Sequence, residues 1–265
     1  MINGAWLAMV RIIVCAKQVY DVEGLKVDPK TRALVTERVE RKISDFDKNA
    51  LEEALRIREK HGGSVVVVTL GPPTANDAAK EALNMGADDA YVINGADPEL
   101  LDARATSDIL AAAIRKVGEF DLVICGDASI DMYASQVGPR LAERLGIPQV
   151  SHAKKITING SIVTAERDLE EADETVESPM PTLLTVTKEI NEPRIPTITM
   201  FIRASKKAVK TLEVGELGAP FSASVKVLQA LAPVTERRRE AVEGKPAEIV
   251  KNLVRKLLSE GVVEG

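Results

Sequence analysis

Short apolar runs along this chain alternate with stretches in which apolar residues recur at helical spacing. The apolar runs predict buried strands at residues 11–16, 64–70, 89–93 and 121–125. The helical spacing, with glycine after each segment, predicts helices at residues 47–61, 74–85, 102–117 and 139–145. Asp47 is expected to be the N-cap of the first of them. Strands that alternate with helices of this length imply right-handed crossovers, so we expect an α/β fold with a doubly wound, mostly parallel sheet.

Smaller elements are predicted around this sheet. A long polar segment follows the first strand, and it is predicted to contain a minor hairpin formed by LKVDP and ALVTE. A second hairpin is predicted over residues 155–167, because Asn159-Gly160 suits the positive φ angles of a type I′ turn. A further strand is expected at residues 181–187 and a basic, helix-like segment at residues 203–210.

The last part of the chain looks appended to this fold. After residue 217 few apolar patterns predict buried elements, until an amphipathic helix begins at Pro246. We therefore expect two parts, an α/β domain at residues 1–217 and an extended C-terminal arm at residues 218–265. The apolar stripe of the terminal helix has to pack either on its own domain or on a partner chain.

The carboxyl ends of the predicted strands mark the place where a ligand would bind. In an open parallel sheet, ligands bind outside the strand ends, near the point where the strand order reverses. The loops that qualify are residues 16–18, 70–72 and 126–138. In the third loop the strand stops at Gly126 and the chain restarts as a helix, which leaves free N–H groups and the positive end of a helix dipole. The sequence therefore predicts a phosphate site there.

Composition and charge limit what the site can serve. The chain has 265 residues and a net charge of −5, with its basic residues scattered, so we expect no nucleic-acid partner. Cys15 and Cys125 both lie in apolar runs, which favours two buried thiols and a reducing cytoplasm. No apolar run is long enough to cross a membrane, and the first residues lack the basic start of a signal peptide. The pattern begins after Met9, which leaves both Met1 and Met9 as possible starts.

Several kinds of chemistry find no support in the sequence. Neither the dinucleotide fingerprint G-x-G-x-x-G nor a P-loop is present. His61 and His152 offer no triad and no metal pair, and the carboxylates near strand ends have no partner at the spacing of a motif. The acidic run at residues 166–177 has no His or Cys at ligand spacing, so we expect a solvated hairpin edge and no metal. A nucleotide-binding domain without evident catalytic residues favours a redox cofactor that supplies the chemistry.

Six segments of the chain carry a resemblance to a known family: VCAKQVYD, DFDKNALEEALRIREK, TLGPP, ALNMGADDAYVI, GDASIDMYASQVGP and TVTKEINEPRIPTITMFIRASKK. Together, from Val10 to about residue 218, they resemble the β subunit of electron transfer flavoproteins. The resemblance implies a nucleotide-binding fold of the adenine nucleotide α-hydrolase-like type. It also implies a heterodimer with an electron transfer flavoprotein α subunit, on which the C-terminal arm and its helix would pack.

The resemblance also implies a set of cofactor-binding residues. They are Ala16, Lys17, Ser44, Asp45, Leu70, Gly71, Asp102, Thr106, Gly126, Asp131, Ser135, Gln136, Val137, Gly138 and Pro139. The residues from Ser135 to Gly138 would hold the phosphate. The adenosine side would be lined by Ala16, Ser44, Leu70, Gly71, Gly126 and Asp131.

Ordinary family members bind AMP in this subunit, whereas members that bifurcate electrons bind a second FAD. Ordinary members tend to have Asn-Gln-Thr where this chain has Ser135-Gln136-Val137, and the segment VTKEINEPR looks more like the bifurcating branch. Asp102 and Thr106 fit that branch, although Ala103 departs from it. The resemblance thus favours FAD, with NADH as the electron donor and two acceptors, a low-potential one such as ferredoxin and a higher-potential one linked to quinone through an oxidoreductase.

Four further residues receive roles from the resemblance. Lys188, Glu189 and Arg194 are expected to tune the flavin, and the alternative for them is ordinary surface ion pairing. Ile198 would be an exposed anchor for the redox partner, and the alternative is that it belongs to the local core.

Two alternative functions remain open at this point. One is a non-bifurcating carrier whose β subunit binds structural AMP and passes electrons from dehydrogenases. The other is a non-redox module that binds an adenine nucleotide. In the favoured interpretation the protein is cytoplasmic, oxidises NADH only as part of a complex, and reaches a membrane only through partner subunits.

Overall fold

We describe a computed structural model of the chain, which covers residues 9–96, 100–218, 221–233 and 240–263. The residues before Met9, on which the choice between the two starts depends, lie outside the described ranges.

The described part of the chain is built from strands and helices in alternation. The strands are β1 (Val10–Cys15), β2 (Gln18–Tyr20), β3 (Lys26–Val27), β4 (Leu34–Val35), β5 (Arg41–Ile43), β6 (Gly63–Leu70), β7 (Asp89–Asn94), β8 (Leu122–Gly126), β9 (Gln149–Asn159), β10 (Ile162–Asp168), β11 (Asp173–Pro179), β12 (Thr182–Val186) and β13 (Lys210–Glu213). The helices are α1 (Asp45–His61), α2 (Asn76–Met85), α3 (Ala103–Val117), α4 (Val137–Leu145), α5 (Ile198–Ala204) and α6 (Pro246–Ser259).

One nine-stranded sheet organises the molecule, in the order β11-β10-β9-β12-β8-β1-β6-β7-β13. The strands from β9 to β13 in this order are parallel, whereas β10 and β11 are antiparallel and form the hairpin edge. The α/β fold with a mostly parallel sheet and a hairpin addition is therefore confirmed. After β1 the chain builds outward through β6 and β7, and then returns to place β8 on the other side of β1. This reversal puts the topological switch point between β1 and β8.

The two faces of the sheet are covered by different helices, as a doubly wound fold requires. Alternate residues of β1 enter opposite cores, since Ile12 and Val14 pack with the residues of α1 and α2, whereas Ile13 and Cys15 pack with those of α3 and α4. Helix α5 packs on α2. Cys15 and Cys125 are unpaired and buried, as their apolar context predicted.

Two predicted helix boundaries differ from the structure. Helix α1 begins at Asp45, so its N-cap is Ser44, and the prediction that Asp47 is the cap is wrong. Asp47 lies inside the first turn, where its side chain is buried. The predicted helix at residues 74–85 starts as a 3₁₀ turn at Pro73–Ala75 and becomes α-helical at Asn76.

Two predictions in the second half of the chain also need correction. The hairpin turn between β9 and β10 consists of Gly160 and Ser161, because Asn159 still pairs with Ile162. The basic, helix-like segment at residues 203–210 is not a helix as a whole: α5 ends at Ala204 and Lys210 begins β13. Strand β13 pairs with β7 at the edge of the sheet.

The C-terminal segments contact the body at a few points. Arg32 donates hydrogen bonds from its guanidinium to the carbonyl oxygen of Ala232, and Phe221 packs against the core under α3 and α4. Helix α6 has no buried residue. No helix in the described ranges is long and apolar enough to cross a membrane. The division of the chain into residues 1–217 and 218–265 stays a prediction.

Candidate functional site

The loops that follow β1 and β8 meet at the switch point. Cys15 ends β1 and is paired in register with Cys125 of β8, so Ala16 and Gly126 follow side by side. The sequence predicted this meeting of strand ends, and the structure brings the two loops together.

A buried carboxylate on α1 joins these two strand ends. Asp47 accepts a hydrogen bond at Oδ2 from the backbone N–H of Lys17 (2.8 Å) and another at Oδ1 from the backbone N–H of Gly126 (3.1 Å). Burial raises the pKa of Asp47 to about 7, although the two N–H groups favour its charged form. A Cβ on Gly126 would lie only 2.6 Å from Asp47 Oδ1, so this close approach requires glycine. Asp47 therefore sets the spacing of the two loops.

Ser44 and Lys17 extend this connection toward Asp131. The backbone N–H of Ser44 donates to the carbonyl of Lys17 (2.9 Å), and Ser44 Oγ accepts from the N–H of Ile130 (3.3 Å). Lys17 Nζ lies 2.6 Å from Asp131 Oδ2. Burial opposes the ionisation of Asp131, but the hydrogen bond and charge of Lys17 outweigh it and hold the pKa of this carboxyl below its ordinary value. Thus several residues of the predicted adenosine side share one crevice.

The start of α4 offers free hydrogen-bond donors. The backbone N–H groups of Ser135, Gln136, Val137 and Gly138 have no acceptor among the described residues. Helix α4 begins at Val137, two residues earlier than predicted. A Cβ on Gly138 would lie 2.4 Å from Thr185 Cγ2, so glycine lets the helix start close to β12. An anion suits this place, because unsatisfied N–H groups and the positive end of the helix dipole occur together there.

Asp127 ties this helix start to the neighbouring strands. Its carboxylate accepts from Ser135 Oγ at 3.2 Å and from Thr185 Oγ1 at 2.9 Å. Nε2 of His152 lies 3.4 Å from Asp127 Oδ2. The sequence identified Asp127 as a carboxylate near a strand end, but it gave no sign of these partners.

A cleft of about 550 Å³ opens beside the start of α4. Its lining residues come from the loop after β2, from α1, from the loop between β8 and α4, from β9 and from the segment after β12. They are Val22, Asp45, Phe46, Asp127, Ile130, Tyr133, Ser135, His152, Thr187, Lys188 and Glu189. Because Ser135 belongs both to the cleft and to the row of free N–H groups, the anion site and the cleft are continuous.

Aromatic rings and a cation form one wall of the cleft. Tyr133 meets Phe46 edge to face, with ring centroids 5.6 Å apart, and Lys188 Nζ lies 5.0 Å from the centroid of the Phe46 ring. Lys188 also lies 3.6 Å from Asp45 Oδ2. Phe46 and Tyr133 were missed by the sequence reasoning, since a lone aromatic residue on a helix or a loop is not a motif.

Arg194 lies apart from this wall. Its guanidinium contacts Glu52 at 2.7 Å and Glu59 at 2.5 Å on α1. The hydrogen bonds that Arg194 donates to Glu52 and Glu59 raise its pKa above the ordinary value. Arg194 and Lys188 thus both make ion pairs, and Lys188 also lines the cleft with Glu189. The expected roles of these three residues toward a flavin stay predictions.

The remaining predicted residues have contacts with other parts of the chain or are buried. Leu70 is buried, and the N–H of Gly71 donates to the carbonyl of Ile93 (3.2 Å). Asp102 is the N-cap of α3 and accepts hydrogen bonds from the N–H groups of Ala105, Ser224 and Val225, with Thr106 half-buried in the first turn. Their predicted roles toward a cofactor remain predictions.

Ile198 begins α5 and is 80 % exposed, so it does not belong to the local core of this chain. Ile195, Phe201 and Ile202 are exposed beside it, and together the four residues form an apolar patch that we call the α5 patch. An exposed patch of this kind marks an interaction surface.

Comparison with known proteins places the sequence among relatives of one family. The family model for the electron transfer flavoprotein domain matches residues 31–217. The electron transfer flavoprotein subunit beta of Thermoanaerobacterium thermosaccharolyticum is 43% identical over 263 residues, which cover 95% of this chain and 99% of the relative. Subunit CarD of the caffeyl-CoA reductase-Etf complex of Acetobacterium woodii is 35% identical, over 96% of this chain and 100% of the relative. The electron transfer flavoprotein subunit beta of Bacillus subtilis is 35% identical, over 95% of this chain and 99% of the relative.

Proposed function

The chain belongs to the electron transfer flavoprotein family as a β subunit and transfers electrons, and we propose that it binds FAD for electron bifurcation. In this proposal it works in an αβ heterodimer in the cytoplasm and takes electrons from NADH. One electron goes to a low-potential, ferredoxin-like acceptor and the other to a higher-potential, quinone-linked acceptor. The alternative of a non-redox nucleotide module is set aside, because the family transfers electrons.

The observation that supports FAD is the continuity of the anion site with the cleft. AMP ends at its phosphate, which the free N–H groups from Ser135 to Gly138 suit by themselves. A flavin dinucleotide continues beyond that phosphate and needs room for a second ring system. The cleft of about 550 Å³ starts at Ser135 and has an aromatic wall at Phe46 and Tyr133, so the residues present fit the group.

The flavin would supply the electron chemistry, and the chain would supply position and charge. Lys188 and Glu189 line the cleft with opposite charges, so they are the groups that would tune a flavin bound there. Arg194 would act on the site only through Glu52 and α1, since its guanidinium is bound to Glu52 and Glu59.

Partner surfaces follow from exposed apolar residues. We propose that the α5 patch docks the redox partner and that α6 packs on the α subunit, with the exposed Val250, Leu253, Val254 and Leu258 as its contact face. The relative from Acetobacterium woodii is named as a subunit of a complex that contains a reductase, which supports a redox enzyme as a partner.

An AMP-binding carrier is the second proposal, and a specific feature favours it. The crevice formed by Lys17, Asp131 and the start of α4 would be complete for AMP without any use of the cleft. Such a carrier would pass electrons from dehydrogenases and would not oxidise NADH for bifurcation.

The proposed activity is tested with the complex produced by co-expression with its α subunit. We expect NADH oxidation to require ferredoxin and the higher-potential acceptor together, with one of the two electrons from each NADH delivered to each acceptor. Oxidation of NADH with the higher-potential acceptor alone, without reduction of ferredoxin, would contradict bifurcation and favour the simple carrier.

A further inference from the structure

Backbone strain is concentrated around the cleft. In the described ranges, five residues other than glycine have a positive φ: Arg32, Arg38, Tyr133, Ser135 and His152. The last three line the cleft. The left-handed conformation raises the free energy of a residue other than glycine. Such residues are found where surrounding contacts stabilise that conformation, often at binding sites. Strain at three points around one cleft indicates that the cleft is shaped for a ligand.

The strain at His152 comes from a β-bulge. Val150 pairs with Leu184 and Ala153 pairs with Val186, so two residues of β9 lie opposite Thr185 alone. His152 takes a φ of 57°, and its N–H donates to Thr185 Oγ1 at 3.1 Å. A bulge of this kind redirects a side chain away from the regular alternation of the strand. Here it directs the imidazole into the cleft.

The imidazole has one nitrogen that a ligand in the cleft can contact. Nδ1 is buried and has no partner among the described residues, so it leaves Nε2, which lies 3.4 Å from Asp127 Oδ2. Because a carboxylate accepts, we assign the proton to Nε2, which makes this nitrogen the donor. At 3.4 Å the contact with Asp127 is long, and Asp127 already accepts from Ser135 and Thr185. The N–H can therefore turn to an acceptor in the cleft, to which the half-exposed ring has access.

The facing wall identifies the kind of acceptor. Phe46 and Tyr133 offer aromatic contact and Lys188 a positive charge, which suits a planar heteroaromatic ring with carbonyl oxygens on its edge. We propose, resting on the proposed binding of FAD, that His152 is a cofactor-binding residue. It donates a hydrogen bond from Nε2 to an acceptor on the edge of the flavin ring, and the bulge in β9 holds it in place.

The test compares variants of the co-expressed heterodimer after removal of the cofactor of this subunit. In His152→Gly the strain is relieved, so thermal unfolding without nucleotide should occur at the same temperature or higher. The dissociation constant for FAD, measured by quenching of flavin fluorescence, should rise about 10-fold, because the hydrogen bond is lost. His152→Asn tolerates a positive φ and keeps an N–H donor, so it should bind FAD within about 3-fold of the parent.

Arg38→Gly is the matched control, since it relieves the same kind of strain at an exposed residue that does not line the cleft. It should leave the affinity for FAD unchanged, and the affinity for AMP should be unchanged in all three variants. If His152→Gly binds FAD as tightly as the parent, this inference is overturned and the proposed function is untouched. A parent heterodimer that takes up AMP but no second FAD would overturn the proposed function and this inference with it.

Discussion

At the scale of single residues, Asp47 shows how a side chain far from any motif builds the site. An acidic residue near the start of a helix predicts an N-cap, and the sequence favoured that interpretation. In the structure the helix begins two residues earlier than predicted. The carboxylate of Asp47 therefore lies inside the fold and accepts from the N–H groups of Lys17 and Gly126. This role depends on the packing of α1 against β1 and β8, which local sequence does not reveal.

The burial of Asp47 predicts a specific dependence of stability on pH. Its pKa is raised to about 7 in the folded protein from 3.8, so the folded state binds the proton more tightly than the unfolded state. The stability that this proton contributes is present at low pH and is lost as the pH rises from about 4 to about 7. Compared with Asp47→Asn, the parent heterodimer should lose about 1–4 kcal/mol of unfolding free energy over this window, measured by chemical denaturation.

Asp28→Asn is the matched control for this measurement. Asp28 also accepts two backbone hydrogen bonds, both at 2.8 Å, but it lies in an exposed turn and its pKa is lowered by those bonds from Thr31 and Lys30. Its replacement should leave the change of unfolding free energy between pH 5 and 7 the same as in the parent. If the unfolding free energies of the parent and of Asp47→Asn change equally with pH, the account of Asp47 is contradicted.

His152 and Tyr133 could not be predicted as parts of the site for a related reason. His152 reaches the cleft only because β9 bulges opposite Thr185, and a bulge is a property of the pairing between two strands. Tyr133 lies in a loop whose course depends on its own positive φ and on Phe46. By contrast, Gly126 could be recognised in the sequence because it ends a clear strand. The segment from Ser135 to Gly138 could be recognised because it leads into a clear helix.

At the scale of elements, the strongly patterned strands and helices were predictable and the weak ones were not. The central strands β1, β6, β7 and β8 are covered on both faces. Burial on both faces requires a continuous apolar run, which the sequence pattern detects. Strand β13 at the sheet edge has the sequence KTLE, with Leu212 as its buried residue, so it has no pattern to detect. The basic residues before it favoured a helix, and pairing with β7 decided otherwise.

The α5 patch gives a prediction at this scale. Replacement of Ile198 by alanine removes apolar area from a small transient interface, which is worth about 1–2 kcal/mol. The apparent affinity for the redox partner should therefore fall about 10-fold, measured as the partner concentration at half-maximal electron exchange. Cofactor content should stay normal, because α5 lies away from the cleft.

Ile162→Ala is the control for this prediction. Ile162 is also exposed, but it lies on β10 near the opposite edge of the sheet from β7 and β13. Its replacement should leave electron exchange unaffected. If Ile198→Ala and Ile162→Ala both exchange electrons like the parent, the α5 patch is not the docking surface.

At the scale of the whole molecule, the arrangement separates the proposed nucleotide site from two exposed apolar surfaces. The site lies at the switch point of the nine-stranded sheet, held by α1 and α4. The α5 patch and α6 lie on elements outside the sheet, with apolar residues that are exposed in this chain. In the proposed function, the site would hold the cofactor and the two apolar surfaces would contact partner chains.

The central claim is that the site of this subunit holds FAD, and cofactor stoichiometry tests it most directly. The heterodimer is purified after co-expression with its α subunit, its cofactors are released by gentle extraction, and FAD and AMP are quantified by chromatography against protein concentration. The account predicts two FAD and no AMP for each αβ pair. One FAD and one AMP for each pair would contradict it.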